Sequence, residues 1–172
     1  MRILQLLPEL KFGGVERGTV DLSEHLTKLG HQSAVVSAGG GLTEQLSNHG
    51  AKHFSLPIAK KNFLAIKQYK NLREIYWEFK PDIIHVRSRF PAWINVLALK
   101  GLPSSKPIVI STFHGLYSKP FYSKSMSYAN DIIAISKTVQ EYVFKNYDVD
   151  HSRVHLIYRG CDIDEFNTSP PS

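Results

Sequence analysis

The chain has 172 residues, a length typical of one α/β domain and too short for two of ordinary size. It is 42% apolar and 11% aromatic, with charges of both signs mixed along it, so a disordered protein is excluded. The single cysteine, Cys161, excludes an internal disulfide framework and favours a reducing, cytosolic compartment. The net charge of +6 indicates anionic partners: nucleic acid, a phosphate-bearing ligand or an anionic membrane surface.

In chain order, short apolar segments alternate with amphipathic segments of helix length, which is typical of a parallel sheet with helices on both faces. The first apolar run, Ile3–Leu7, is too short for a signal sequence or a membrane span, and we interpret it as a buried strand. The sequence predicts a sheet of about seven strands, namely Arg2–Leu7, Ser33–Ser37, His53–Leu56, Ile83–Val86, Ile108–Thr112, Ile132–Ile135 and Val154–Ile157.

The helices between these strands are predicted from apolar spacing and from residues that begin or end helices. Their predicted positions are Val15–Leu29 ended by Gly30, Leu42–His49 ended by Gly50, one stripe over residues 63–79 closed by Pro81, a helix with Pro91 at its first position, and a helix capped by Ser136 that runs through Phe144. The tail, residues 167–172, has the composition of a linker, so we expect a further domain to follow.

Ligands of an open α/β sheet bind beyond the carboxyl ends of the strands. The segments that follow four predicted strands there contain small, basic or hydrogen-bonding residues: Gly13-Gly14-Val15-Glu16-Arg17, Arg87-Ser88-Arg89, His114-Gly115 and Ser136-Lys137. These segments are the candidate ligand site.

The Gly13-Gly14 pair lies between the first strand and the first helix, where bare backbone can approach a phosphate and helix N–H groups can point at it. A plain turn is the alternative interpretation. The pair fits neither the G-x-G-x-x-G dinucleotide fingerprint nor a P-loop, which disfavours a nicotinamide enzyme and a P-loop kinase.

Two further positions offer polar side chains to a ligand. His114 follows a β-branched strand and could donate a hydrogen bond to a sugar hydroxyl or a phosphate, or it could be structural. Arg87 and Arg89 flank Ser88, so at least one guanidinium is expected to face the cleft, with surface charge as the alternative.

A basic stripe follows the third strand. Its members, Lys60, Lys61, Lys67, Lys70 and Arg73, suit either an anionic membrane surface or a solvated helix face. The stripe lacks the stacking aromatics of a nucleic-acid platform, so we predict no nucleic-acid partner. No His or Cys cluster has metal-ligand spacing and no Gly-x-Ser-x-Gly elbow occurs, which excludes metal hydrolases and serine esterases of those types.

Several short motifs occur in an order that carries a family resemblance. They are Gly-Gly-x-Glu (13–16), Pro-Asp-Ile-Ile-His (81–85), Thr-Phe-His-Gly (112–115), Asp-Ile-Ile-Ala-Ile-Ser (131–136) and Gly-Cys-Asp-Ile-Asp-x-Phe (160–166). Together they resemble the amino-terminal domain of the retaining GT-B glycosyltransferases, in particular glycosyltransferase family 4, over residues 2–166. The stretch from residue 87 to residue 93, Arg-Ser-Arg-Phe-Pro-Ala-Trp, is similar to members that act in bacterial cell-envelope and lipopolysaccharide pathways.

The resemblance implies two Rossmann-like domains with the active site between them, of which residues 1–166 form the amino-terminal, acceptor-side domain. The donor-binding carboxyl-terminal domain, with its paired glutamates, is not in this chain. The full-length enzyme is expected to transfer a hexose-type sugar from a nucleotide-sugar donor to a glycan or lipid-linked acceptor, without a metal or another cofactor. It is expected to be cytoplasmic, with peripheral attachment to the inner face of the membrane. The 172-residue chain alone is expected to be inactive.

Residue by residue, the resemblance implies that Gly13 and Gly14 face the donor phosphates and that His114 contacts the transferred sugar as the catalytic residue. The remaining expected roles are Gly115, Ser136 and Lys137 toward the donor phosphates, and Glu16, Arg17, Arg87, Ser88 and Arg89 toward the acceptor or the phosphates. One departure is Tyr158-Arg159-Gly160, which stands where many relatives carry Asn-Gly. The alternative hypothesis is a non-catalytic, flavodoxin-like module that binds a phosphate ligand.

Overall fold

The computed structural model describes residues 1–59, 63–102, 107–118 and 120–160, without the side chains of residues 63 and 64. Seven strands form one sheet in which every neighbouring pair is parallel. The strands are β1 (Arg2–Leu6), β2 (Gln32–Ser37), β3 (Lys52–Ser55), β4 (Ile83–Val86), β5 (Ile108–Phe113), β6 (Asp131–Ala134) and β7 (Val154–Leu156). The predicted α/β class and strand number are confirmed, and no predicted strand end is wrong by more than one residue.

The helices are α1 (Gly14–Lys28), α2 (Thr43–Asn48), α3 (Phe63–Ile66), α4 (Tyr69–Phe79), α5 (Arg89–Leu99), α6 (Pro120–Ser123) and α7 (Lys137–Asn146), with 3₁₀ helices at Lys124–Tyr128 and His151–Arg153. Gly30 and Gly50 follow α1 and α2 with φ of 78° and 80°, the left-handed conformation that ends a helix. Ser136 caps α7 by accepting a hydrogen bond from the Val139 N–H at 3.2 Å. These three predicted helix ends are confirmed.

Two helix predictions are wrong in detail. The apolar stripe over residues 63–79 forms two helices, α3 and α4, because the chain turns at Lys67 and Gln68 with three-residue hydrogen bonds while the stripe continues through the break. Pro91 is the third residue of α5 instead of the first. The first turn of a helix has no intrahelical acceptor for its N–H groups, so a proline is tolerated there at any of these positions.

The strand order is β3-β2-β1-β4-β5-β6-β7, which reverses direction between β1 and β4. This is the Rossmann-type order and differs from the 2-1-3-4-5 order of flavodoxin, so the alternative fold type is wrong. A parallel sheet of this kind opens a crevice at the reversal, beyond the carboxyl ends of β1 and β4. The first candidate loop and Arg87 both leave the sheet at that crevice.

Both faces of the sheet bury apolar side chains. On one face α1 and α2 cover a small cluster that includes Leu7, Val20, Val35 and Leu46. The other face carries the larger core, to which α4, α5 and α7 contribute. Layers on both sides hold the strand ends in fixed positions, and this gives the crevice a rigid floor. Within the described ranges, no helix has both the length and the apolar character needed to cross a membrane.

Candidate functional site

The crevice at the strand reversal begins with the two glycines. Gly13 is the N-cap of α1 with extended backbone (φ −161°) and no side-chain cap, and Gly14 is the first helical residue. The first turn of a helix leaves its N–H groups without intrahelical partners and carries partial positive charge. The start of α1 therefore faces the crevice as an uncapped anion-binding end.

Arg87 leaves β4 directly into the crevice and is 7% exposed. Its Nη1 donates to the side-chain oxygen of Gln5 at 3.1 Å, whereas its Nε has no hydrogen-bond partner among the described residues. Burial, together with the positive charge of Arg159, lowers the pKa of the Arg87 guanidinium to about 10. An arginine held this way is desolvated without full compensation and favours the approach of an anion.

Gln5 fixes the direction of the Arg87 side chain. It is fully buried in the middle of β1, and its Nε2 donates to the Thr19 carbonyl at 3.1 Å and to Ser23 Oγ at 2.8 Å. Its oxygen is thereby turned toward Arg87. Gln5 was not among the predicted site residues, but a glutamine that interrupts the apolar run Ile3–Leu7 was the signal that could have identified it.

Arg159 is the second residue that sequence reasoning missed. It follows β7, returns across the carboxyl edge of the sheet and donates from Nη2 to the carbonyl of Gly14. A Cβ built on Gly18 would lie 2.8 Å from Arg159 Nη2 and 3.5 Å from Arg87 Nη2. Gly14 and Gly18 are one turn apart on the same helix face, so a bare strip of α1 admits both guanidinium groups.

His114 lies beyond β5 on the same side of the crevice. Neither ring nitrogen has a hydrogen-bond partner among the described residues, although both nitrogens are buried. Burial, reinforced by the charges of Arg87 and Arg159, lowers its pKa to about 3. The imidazole is therefore neutral at physiological pH, with one nitrogen able to donate and the other able to accept.

His85 lies in β4, two residues before Arg87, and its role is structural. Its Nε2 lies 2.6 Å from Thr112 Oγ1 in β5, and burial lowers its pKa to about 3, with smaller contributions from Arg87 and His114. This buried pair links the two strands that carry Arg87 and His114. The link joins the two strands just before Arg87 and His114 leave them.

The residues that flank the glycines and Arg87 have other contacts. The Glu16 carboxyl folds back toward Gly13, where an added Cβ would lie 3.1 Å from its Cδ. Arg17 pairs with Asp21 on α1, with a Nε–Oδ1 distance of 2.9 Å. Ser88 is the N-cap of α5, and the Arg89 guanidinium lies 4.7 Å from the centre of the Tyr117 ring. Of the two flanking arginines, Arg87 is the one that reaches α1.

Three further predicted residues come after the ends of β5 and β6. Gly115 has no neighbour within 4 Å of a built Cβ, Ser136 caps α7, and Lys137 is the exposed first residue of that helix. No contact between these three residues and Gly13 or Gly14 is recorded in the described part of the chain. The described residues also contain no group of three or more His, Cys, Asp or Glu that could hold a metal ion.

The basic stripe is only partly described. Lys60 and Lys61 lie outside the described residues, while Lys67 and Lys70 are exposed. Arg73 donates to the carbonyls of Leu97 (3.3 Å) and Ala98 (3.1 Å) at the end of α5, so it is a helix cap and not a free surface charge. Arg73 is therefore not part of the exposed basic stripe.

The sequence and the fold were compared with those of known proteins. Among curated proteins, none matches this chain. A glycosyltransferase from Rickettsia africae ESF-5 is 34% identical, with a TM-score of 0.82 over 98% of this chain and 46% of its own. The lipopolysaccharide outer core galactosyltransferase WaaB is 17% identical, with a TM-score of 0.77 over 95% of this chain and 47% of its own.

Anabaena HepE, solved with UDP and glucose, is similar in fold at 19% identity, with a TM-score of 0.77 over 99% of this chain and 47% of its own. The chain thus spans about half the length of these solved proteins. The model of Glycosyltransferase Family 4 matches residues 12–165, which include every residue of the crevice except Gln5. The resemblance seen in the sequence is confirmed, and this chain belongs to glycosyltransferase family 4.

Proposed function

We propose that this chain is the amino-terminal half of a retaining, metal-independent glycosyltransferase of hexosyltransferase type. The full-length enzyme transfers a sugar from a nucleotide-sugar donor to a glycan or lipid acceptor of the cell envelope. One observation carries the proposal: the uncapped start of α1, a buried arginine with an unpartnered Nε and a neutral, unpartnered histidine meet at the strand reversal. That combination suits a sugar joined to a phosphate.

The proposed roles follow from the chemistry of each group. The N–H groups at Gly13 and Gly14 bind the donor phosphates, and Gly115, Ser136 and Lys137, which follow β5 and β6, flank them. His114 donates to, or accepts from, a hydroxyl of the transferred sugar. Glu16, Arg17, Ser88 and Arg89 line the acceptor side. Family membership and the position of these residues at the carboxyl edge support the assignment.

The reaction needs stabilisation of a leaving group above all. As the bond between the sugar and the phosphate breaks, negative charge accumulates on the departing nucleoside diphosphate. N–H donors and guanidinium groups already placed at the crevice stabilise that charge. A neutral His114 leaves the phosphates to these donors and contacts the sugar through hydrogen bonds.

Two solved proteins of similar fold support the donor and the acceptor class. HepE was solved with UDP-glucose, and WaaB is a galactosyltransferase of the lipopolysaccharide outer core. This chain covers less than half of either protein, so we expect it to be inactive alone and to depend on a carboxyl-terminal donor domain.

The direct test is a transfer assay on the protein that contains this chain together with any sequence encoded after Ser172. UDP-, GDP- and ADP-linked sugars are offered with lipid-linked and glycan acceptors, with and without EDTA, and NMR gives the anomeric configuration of the product. We expect retained configuration, no effect of EDTA, and a loss of at least about a hundredfold in kcat/KM for His114→Ala. His25→Ala, an exposed histidine on α1, is the matched control.

Each part of the proposal has its own contradicting outcome. An inverted product rules out the retaining mechanism, and loss of activity with EDTA rules out metal independence. Transfer by the 172-residue chain alone contradicts the need for a second half. Equal activity of the His114→Ala and His25→Ala proteins removes the proposed role of His114.

The alternative function is a non-catalytic module that binds a phosphate ligand. Its predicted flavodoxin-like topology is wrong, and membership of the glycosyltransferase family favours an enzyme. Extending the reading frame past Ser172 separates the two hypotheses. A second Rossmann-like half with paired glutamates supports the transferase, and a stop codon supports the module.

Peripheral attachment of the cytoplasmic enzyme to an anionic membrane is part of the proposal. The exposed Lys67 and Lys70 support the attachment. Arg73 does not, because its guanidinium donates to a carbonyl at the end of α5. We expect the protein to co-sediment with vesicles that contain anionic lipid and to be released by salt. Equal sedimentation with neutral vesicles at any salt concentration contradicts the attachment.

A further inference from the structure

Two arginines from distant parts of the chain reach the same strip of α1. Arg87 follows β4, and Arg159 follows β7 at the far edge of the sheet. A Cβ built on Gly14 would lie 2.8 Å from Arg159 Nη1, and one built on Gly18 would lie close to a nitrogen of each arginine. Glycines at these two positions leave room for both guanidinium groups beside the helix backbone.

Among the described residues, no contacting carboxylate neutralises the positive charge of this pair. Across residues 1–59, 63–102, 107–118 and 120–160, no carboxylate forms an ion pair with Arg87 or with Arg159. Asp21 and Glu16 act on Arg87 only through longer-range attraction, while Arg159 repels it. Like charges held together in this way favour an anion between them.

Arg87 adds a second, independent sign of a ligand. More than nine tenths of it is buried, Gln5 fixes its Nη1, and the Nε remains without an acceptor in the described part of the structure. A buried charged donor without an acceptor is costly, and a phosphoryl group is the ligand whose oxygens best match a guanidinium fork.

We propose that Arg87 and Arg159 bind one phosphoryl group on the Gly14–Gly18 strip of α1. Arg87 supplies the fixed, buried fork, and Arg159 exchanges the Gly14 carbonyl for a phosphate oxygen when the ligand binds. The site rests on the proposed function for its biological ligand, which is either the diphosphate of a nucleotide-sugar donor or a phosphate on the acceptor. The phosphoryl chemistry is the same for both sources.

The test is direct binding to the 172-residue chain, measured by isothermal titration calorimetry in a low-salt, phosphate-free buffer. The probes are inorganic pyrophosphate, UDP, GDP and a hexose 1-phosphate. We expect Arg159→Gln to weaken pyrophosphate binding about tenfold or more, because a charge-assisted pair of hydrogen bonds is lost. Arg87→Lys retains the charge without the fork and is expected to weaken binding to a similar degree.

Arg2→Gln is the matched control. It removes the same charge from the amino end of β1, at the opposite edge of the sheet, and is expected to change pyrophosphate affinity less than about twofold. Arg159 is exposed, so its replacement leaves the core intact, and circular dichroism of each variant checks the fold. Tighter binding of UDP or GDP than of the hexose phosphate assigns the site to the donor, and the reverse order assigns it to the acceptor.

The proposal is overturned if the wild-type chain binds none of the four probes, or if Arg159→Gln and Arg2→Gln bind pyrophosphate equally well. These outcomes are separate from failure of the proposed function. A protein that binds pyrophosphate through both arginines but transfers no sugar retains this site and loses the transferase proposal. If the protein transfers sugar and the KM values for donor and acceptor are both unchanged in Arg159→Gln and Arg87→Lys, the transferase proposal stands and this site is lost.

Discussion

The two edges of the sheet differ in how their polar and charged side chains are paired. At the amino edge, Arg2 pairs with Asp82, where the carboxylate also accepts the Arg2 backbone N–H at 2.6 Å. Two further pairs lie at the same edge, Lys52 with Glu78, and His155 with Asp131 at 2.8 Å. At the carboxyl edge, Arg87, Arg159 and His114 meet without a carboxylate partner among the described residues.

This difference separates stability from function within one sheet. Charges at the amino edge are exposed and satisfied, which is sufficient for solubility and contributes little free energy. At the carboxyl edge, the Arg87 Nε and both His114 ring nitrogens are buried without hydrogen-bond partners among the described residues, and a folded protein retains such groups chiefly where a ligand completes them. We therefore expect the carboxyl edge to combine a rigid backbone with side chains that lack hydrogen-bond partners.

The largest expected effect is on the backbone of the carboxyl edge. Gly40 follows β2 with φ of 149°, and a Cβ there would collide with the Leu10 carbonyl and lie 2.8 Å from the Lys11 nitrogen. We expect Gly40→Ala to lower the free energy of unfolding by about 3 kcal/mol or more, since both φ and space exclude a side chain. Urea denaturation followed by circular dichroism measures it.

Gly115→Ala is the matched control for that experiment. Gly115 lies at the same edge, and nothing lies within 4 Å of a Cβ built there. We expect a change within about 0.5 kcal/mol. Equal losses in the two variants show that the loop after β2 is no more rigid than the loop after β5, and the description of a fixed edge then fails.

The next effect is the pH dependence of stability. His85 and His114 have pKa values of about 3 in the folded protein because burial disfavours the imidazolium, whereas an unfolded histidine titrates near 6.5. Below pH 6.5 the unfolded chain binds protons that the folded protein does not, so the free energy of unfolding decreases as the pH is lowered. Each imidazole contributes a loss of about 1.4 kcal/mol between pH 7.5 and pH 5.5.

The variant His114→Asn separates the two contributions. Its stability is expected to fall between pH 7.5 and pH 5.5 by about 1.4 kcal/mol less than that of the wild type. Urea titrations in buffers without phosphate provide the measurement. If wild type and variant lose stability in parallel, His114 is accessible to protons in the folded state and does not belong to the buried cluster.

The sheet was predictable because its strands are buried on both faces and appear as apolar runs such as Ala34-Val35-Val36. The crevice residues Gly13, Gly14, Arg87 and His114 were predictable because the topology brings the carboxyl ends of parallel strands to one edge. Arg159 was not, because its contact with Gly14 spans 145 residues and depends on how the chain turns after β7.

The sequence pattern also gave a wrong prediction where two different structures produce the same apolar spacing. The apolar period over residues 63–79 is the same for one helix as for α3 followed by α4, so periodicity gives no signal of the break. Gln5 was missed for a related reason. A single polar residue in a strand indicates a buried hydrogen bond, but its partners Thr19, Ser23 and Arg87 come from other elements.

A smaller effect compares one arginine from each edge. In low salt without phosphate, Arg2→Gln is expected to lower the free energy of unfolding by about 0.5 kcal/mol, because it removes an attractive pair. Arg159→Gln is expected to raise it, because it removes repulsion of Arg87. Thermal unfolding of the two variants gives the signs. The same sign in both contradicts the contrast between the edges.

The last expected effect is a small change in affinity and concerns Glu16, whose carboxyl lies beside Gly13 at the start of α1. A carboxylate there stabilises the helix end and also competes with a ligand phosphate for the same positive potential. Glu16→Gln is therefore expected to lower the free energy of unfolding by about 0.3–1 kcal/mol and to tighten pyrophosphate binding about two- to threefold.

Glu44→Gln removes the same charge from the first turn of α2 and serves as the control, with a similar loss of stability and no change in affinity. Calorimetric titration of both variants separates the two roles. Weaker binding by Glu16→Gln alone means that the carboxylate orients the site instead of competing for it, and the charge at the start of α1 then serves the ligand as well as the helix.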